Sequence, residues 1–227
     1  EVVFEHEKNV EALEFSPDGK VLASASDDSS VQLIHLNPRE VKLLGKAEKG
    51  VRALTFSPDG KTLAAGSMDH TIRLWDLAAG TNRVIDASGN GVTKIVFFPD
   101  GKKFASTGFE PSVRIWDFET GKTLRILRGH DRMVVGTSVA PDGKRIATAS
   151  IDGKIRLWDL ESREDRALVG HNGGVASVMF APDGRTLISS GQDGTVRLWG
   201  DDVPRTETEL RVWMDAATKD VAEMLDP

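Results

Sequence analysis

A Pro-Asp-Gly turn occurs five times in this chain, with its proline at Pro17, Pro58, Pro99, Pro141 and Pro182. Successive copies stand 41, 41, 42 and 41 residues apart. In each copy proline presets φ at the first corner, aspartate tolerates the second, and glycine supplies the left-handed residue that closes a hairpin with a bulge. The fullest copy runs from Gly170 to Trp199. Before its turn, Val175, Val178 and Phe180 mark a buried strand; after it, Thr186 to Ser190 is short, small and β-favouring. Asp193-Gly194 is a second hairpin signal, after which Val196 and Leu198 alternate with Thr195 and Arg197 up to Trp199. One segment therefore encodes three antiparallel strands, and four others copy its plan.

A repeat of this length holding three or four short strands is the signature of a β-propeller, in which each blade is one small sheet packed on its neighbours. A single such sheet could not bury both faces, so the blades need each other. The predicted fold class is all-β, a propeller of five repeats over residues 1–200, followed by an acidic linker and helix over 201–227.

With 227 residues, 39% hydrophobic and 28% charged, the chain has the make-up of a soluble unit with a sizeable core. It has no cysteine, which removes disulfides, thiolate metal sites and a cysteine nucleophile and fits a reducing compartment. No apolar run approaches a membrane span and no leader opens the chain, so a cytoplasmic protein is the default expectation. Because the first residue is Glu1, a processed or excised piece is also expected. The net charge is −6, of which residues 200–227 carry −5 (eight acids against Arg205, Arg211 and Lys219). Neither the tail nor the nearly neutral body offers the basic field that nucleic acid or anionic lipid requires.

Leu74-Trp75-Asp76, Ile115-Trp116-Asp117 and Leu157-Trp158-Asp159 end third strands, and Gly129-His130 and Gly170-His171 open two repeats. In these residues the chain resembles the WD-repeat propeller family over residues 1 to about 200. The resemblance implies a blade-stabilising network: a His before the first strand, a Ser or Thr on the second, the Asp of the second turn and the Trp of the third. It is complete as His130, Thr148, Asp152 and Trp158, and as His171, Ser189, Asp193 and Trp199. The first repeat keeps His6, Ser24 and Asp28 but has Ile34 for the Trp; the second keeps Asp69 and Trp75 but has Ala47 and Ala65; the third offers Ser88, Ser106, Glu110 and Trp116. Blades one to three are therefore expected to be looser than four and five, each missing hydrogen bond forfeiting roughly 1 kcal/mol.

A His, a Ser and an Asp in one blade also suggest a nucleophilic triad, but a triad needs an exposed nucleophile beside an oxyanion hole. Recurrence of the set beside a Trp fits structural hydrogen bonding better. His35 and His70 have no metal-like spacing and read as surface residues. Gly89-Asn90-Gly91 lacks the Gly-Lys-Thr ending of a phosphate loop, and Asp27-Asp28 lacks calcium-loop spacing. No enzyme site, cofactor or metal is expected.

Thr206 with Glu209 forms a capping box, and Leu210, Trp213, Met214, Ala217, Val221, Met224 and Leu225 make an apolar stripe at helical spacing. A helix from about Glu207 to Leu225 is expected to dock on the propeller. This tail resembles, more weakly, those ending WD-repeat regions of multidomain bacterial signalling proteins, which implies effector modules elsewhere in a longer chain. Val2 to Phe4, the strand before the first repeat, is suited to pair beside Thr195 to Trp199 and so complete the last blade.

The family resemblance also implies where binding occurs: at the residues either side of the first-strand valine and the residue before the second-turn acid. Carried onto this chain, these positions give the first blade Glu11 and Asp27, the second Arg52 and Met68, the third Phe109, and the fourth Met133, Val135 and Ile151. Met68, Phe109, Met133, Val135 and Ile151 would form one apolar patch on the top face, with Arg52, Glu11 and Asp27 orienting a partner by charge. The expected function is non-catalytic binding of a protein or peptide, without nucleic acid or membrane. The alternative is the regulatory sensor module of a larger effector enzyme, and further blades or an effector domain in a longer chain are left open.

Overall fold

The computed structural model describes residues 4–87, 89 and 91–200. Its nineteen strands form five antiparallel sheets in chain order. The first sheet holds β1 (Val10–Phe15), β2 (Val21–Ser26), β3 (Ser30–Leu36) and β4 (Arg39–Lys46). The second holds β5 (Val51–Phe56), β6 (Thr62–Ser67), β7 (Thr71–Asp76) and β8 (Thr81–Asp86). The third holds β9 (Val92–Phe97), β10 (Lys103–Gly108), β11 (Ser112–Asp117) and β12 (Thr123–Arg128). The fourth holds β13 (Val134–Val139), β14 (Arg145–Ser150), β15 (Lys154–Asp159) and β16 (Asp165–Val169). The fifth holds β17 (Val175–Phe180), β18 (Leu187–Gly191) and β19 (Val196–Trp199).

Each Pro-Asp-Gly turn joins the first two strands of its sheet. Gly19, Gly60, Gly101, Gly143 and Gly184 take φ between 66° and 70°, the left-handed geometry that glycine occupies without steric cost. The turn aspartate accepts a main-chain hydrogen bond from the residue two positions on, as Lys61 N–H to Asp59 at 3.1 Å shows. These bonds lie within the turn itself and need no long-range partner, which is why the repeat is readable from sequence.

Sheets pack face to face as consecutive propeller blades. The inner strand of each blade meets the inner strand of the next, β1 with β5, β5 with β9, β9 with β13 and β13 with β17, and the second strand of each packs on the first strand of its successor. The core lies in four interblade layers. Ala23, Ala25, Val31 and Leu33 of the first blade meet Leu54, Phe56, Leu63 and Trp75 of the second. Ala53, Ala64, Ile72 and Leu74 of the second meet Val92, Ile95, Phe97, Phe104 and Trp116 of the third. The later junctions repeat the scheme. At Gly66 an added Cβ would lie 2.4 Å from Val92, so the absent side chain is what lets these blades approach.

Two expectations fall mainly outside the described residues. The fifth blade has three strands among the described residues, leaving β19 at its edge. Strand contacts of substance do not join it to the first blade among those residues. The expected closing strand falls on Val2 and Val3, outside the described residues; Phe4 is described, lies outside any strand, and stacks edge-on against His6 at 5.1 Å. The expected carboxy-terminal helix, with Trp213, also lies outside the described residues.

Candidate functional site

The buried polar network of the fourth blade is complete. Asp152 accepts from His130 Nδ1 at 2.8 Å and from the Asp131 amide at 3.0 Å. With Nδ1–H so engaged, Nε2 is left to accept the Thr148 hydroxyl at 2.8 Å, while the Thr148 oxygen accepts Trp158 Nε1–H at 2.9 Å. Burial holds the His130 pKa below its ordinary 6.5, against the opposing pull of Asp152, which agrees with a neutral ring. The fifth blade repeats the relay through Asp193, His171, Ser189 and Trp199, with 2.7 Å from His171 Nε2 to Ser189 and 2.8 Å from Trp199 to Ser189. Each hydroxyl is wedged between an imidazole and an indole, and Thr148 and Ser189 are buried. That geometry holds three strands together and offers the oxygen to no substrate.

The incomplete blades compensate locally. In the first, Ser30 and Ser24 bond the two ring nitrogens of His6, each at 2.9 Å, and Ile34 is buried where the indole would stand. In the second, His and Ser are both replaced by alanine, and Ala47 and Ala65 pack with Trp75 in the core. For the His–hydroxyl bond, losing both partners to apolar groups is far cheaper than orphaning one, although Ala65 also removes the hydroxyl that accepts the indole N–H in blades three to five. Asp69 keeps the Glu48 and Thr71 amides, each at 2.9 Å. In the third blade Trp116 still donates to Ser106 at 2.8 Å and Ser112 donates to Glu110 at 3.3 Å; Ser88 lies outside the described residues.

His70, expected at the surface, is half-buried with φ 71°, and its Nδ1 lies between the Gly89 carbonyl and the Gly91 amide, donating to the first or accepting from the second according to its tautomer. It pins the turn of the second blade to the loop entering the third. The turn sequence alone carries no sign of this, because the partner lies in the next repeat. Among the described residues no group of three or more His, Cys, Asp or Glu side chains is placed to hold a metal ion.

The rim positions are built by a shared irregularity. In every blade the pairing of the first two strands slips at the second residue of the inner strand, between Val10 and Ala12, Val51 and Ala53, Val134 and Gly136, and Val175 and Ser177, with the third blade slipping opposite Val92. A bulge leaves one residue unpaired and re-aims it, so Glu11, Arg52 and Val135 are turned out of the ladder. The residue before the second-turn acid is tied to the residue before the inner strand: Asp27 N–H to Asn9, Met68 N–H to Gly50 and Ile151 N–H to Met133, at 3.0, 2.9 and 3.2 Å.

Contacts between blades then string these positions along one rim. Gly91 sits under Met68 and Phe109, where a Cβ would lie 3.1 Å from the Met68 sulfur and 3.4 Å from the Phe109 ring. The Val134 amide bonds the Glu110 carbonyl at 3.4 Å, and Phe109 and Met133 are the residues immediately before each partner. Phe109 is 42% exposed, and Met68, Met133, Val135 and Ile151 are half-buried. The charged positions behave differently. Arg52 reaches across the first junction to Asp27 through Nε and Nη2, all at 3.3 Å, so these charges are spent on each other, while Glu11 is exposed. The larger clefts lie at the other end of the strands; one of about 790 Å³ is lined by Arg83, Lys102, Asp117 and Phe118.

Comparison with known proteins agrees with this architecture. No curated protein matches the chain. The family model described as WD domain, G-beta repeat matches five times, at residues 2–35, 39–76, 81–117, 121–159 and 163–200. Each match ends at or next to a third strand and, from the second on, takes in the outer strand of the preceding sheet, so the matched units are offset by one strand from the blades. With five matched repeats, five sheets packed in sequence and the His-Ser/Thr-Asp-Trp relay intact in two of them, this chain belongs to the WD-repeat family.

Proposed function

We propose that this chain is a binding module that takes an apolar peptide or protein segment on the rim formed by Met68, Phe109, Met133, Val135 and Ile151. WD repeats generally mediate protein–protein interaction and are typically non-catalytic scaffolds. The observation that carries the site is its continuity: Met68 and Phe109 converge over Gly91, and the Val134–Glu110 bond brings Met133 beside Phe109. An exposed aromatic and half-buried methionine side chains gathered across three blades supply adaptable apolar contact, and large aromatic anchors carry most of the energy in such interfaces. The Asp27–Arg52 pair bounds the patch on one side with a neutralised polar edge, as a rim does.

The test is selection from a displayed peptide library against the wild-type chain and a Phe109→Ala, Met133→Ala double variant. Peptides bearing two or more large apolar residues are expected, with affinity for the double variant reduced at least about tenfold, as loss of an anchor implies. Selected peptides that bind the folded double variant equally well would refute the site.

A further inference from the structure

At three junctions between blades, one side chain just beyond a third strand packs onto the interblade core. It is the second residue after the tryptophan: Leu77 at the first junction, Phe118 at the second and Leu160 at the third. Each is seated by its own amide, which bonds the carbonyl of Lys61, Lys102 or Lys144 at 3.0, 2.9 and 2.9 Å. At the fourth junction the sequence has Asp201 at that offset, a carboxylate in place of an apolar side chain. The core there is less covered. Trp75, Trp116 and Trp158 are at most 4% exposed, whereas Trp199 is half-buried, as are Leu157, Leu168 and Phe180, which pack beside it on the same cluster.

These four side chains line a cleft of about 930 Å³ between blades four and five, together with Arg145, Arg166, Arg185 and Asp183. Arg145 is engaged by the Gly184 carbonyl at 2.6 Å and Asp142 at 3.1 Å, and lies over the Phe180 ring at 5.7 Å. Arg166, on β16, and Arg185, just before β18, are exposed. An apolar floor flanked by cations suits an acidic segment that carries a large apolar side chain. The cleft between blades two and three differs on both counts: it already holds Phe118, and Asp76, Asp117 and Glu119 offset its Arg83 and Lys102.

Gly200 also lines the cleft between blades four and five, so the rest of the chain departs from inside it. The next residues are Asp201 and Asp202, residues 200–227 carry −5 of the net −6, and Trp213 is the one aromatic residue among them.

We propose that residues 201–227 of this chain occupy the cleft between blades four and five, with Asp201 and Asp202 facing Arg166 and Arg185 and Trp213 covering Phe180 and Trp199. The occupant follows from the point of departure at Gly200 and from charge complementarity. Tethering makes the encounter intramolecular, at an effective concentration of about millimolar, so exposed ion pairs that are individually weak suffice beside the apolar cover.

The chain has no cysteine, so Leu168→Cys places a single thiol on the cleft floor of the 227-residue protein. Its maleimide labelling is compared in three backgrounds: the native chain, a tail variant with Asp201→Asn, Asp202→Asn and Trp213→Ala, and a cleft variant with Arg166→Glu and Arg185→Glu. The native chain should label slowly, and each variant about tenfold faster, as release of a floor covered nine-tenths of the time implies. Added salt should speed labelling of the native chain, because it screens the attraction between arginines and aspartates. Should Leu168→Cys not fold, Met214→Cys reports the same event from the tail, protected in the native chain and released by Arg166→Glu with Arg185→Glu. Two outcomes would overturn the proposal: labelling in either variant no faster than in the native chain, or protection that disappears on dilution, which would make the occupant the tail of a second copy.

Discussion

The buried relay of the fourth blade and the apolar rim across blades two to four are both recurring positions of the repeat, yet they do opposite things with their side chains. Thr148 uses its donor and its acceptor inside the blade, between His130 and Trp158, and is 0% exposed. Phe109 makes its ring contact with the Gly91 region and still leaves 42% of its surface in solvent. The first group has no capacity left for a ligand; the second has apolar surface that folding did not consume. A His, a Ser or Thr and an Asp close together therefore mark architecture here, while the less conspicuous bulge and turn positions are where we propose recognition.

The comparison breaks if either region behaves like the other. Thr148→Val keeps the shape but orphans the Trp158 N–H and the His130 nitrogen, and should cost about 2 to 4 kcal/mol in denaturant unfolding. An unchanged midpoint would mean that the relay is dispensable.

Acid should act on the relay next. His130 is held below its ordinary 6.5 by burial, so the unfolded chain takes up a proton first as pH falls. Its stabilisation is complete above about pH 6.5 and is lost as pH falls through the lower folded value. A second decline follows below 3.8. Burial opposes ionisation of Asp28 and Asp152, but hydrogen bonds from Ser30 and from the Asp131 amide hold them ionised below that value, and the Asn172 amide does the same for Asp193. Unfolding measured across pH should show the upper decline reduced in His130→Asn; an equal slope in that variant would remove His130 from the account.

The smallest stability effect belongs to the rim. Phe109→Ala should shift unfolding by no more than about 0.5 kcal/mol, as expected of an exposed side chain. A loss comparable to that of Thr148→Val would make Phe109 a core residue and end the comparison.

The strands were legible in the sequence because they rest on local chemistry, a Pro-Asp-Gly turn every repeat, whereas the relay residues were named through the family resemblance. The rim residues could be named only through the family resemblance. The bulge that turns Arg52 and Val135 outward is a property of strand pairing, and no residue type in Val51–Phe56 or Val134–Val139 announces it. That Arg52 would spend its charge on Asp27 required knowing that the two blades adjoin there. That Ala47 and Ala65, which stand where the second blade lacks its His and Ser, pack together with Trp75 is a property of the folded sheet. For the cleft between blades four and five one signal was present, Asp201 where other repeats have Leu77, Phe118 and Leu160, but its meaning depends on what those side chains cover.

Methionine methyl groups offer the most direct test of where a ligand binds. The chain has five methionines, of which Met68 and Met133 stand in the rim patch and Met179 on the open face of the fifth blade. Methyl-labelled protein titrated with a library-selected apolar peptide should show the Met68 and Met133 signals moving with binding while Met179 stays in place. Movement of Met179 with Met68 and Met133 unchanged would contradict the assignment of binding to the rim.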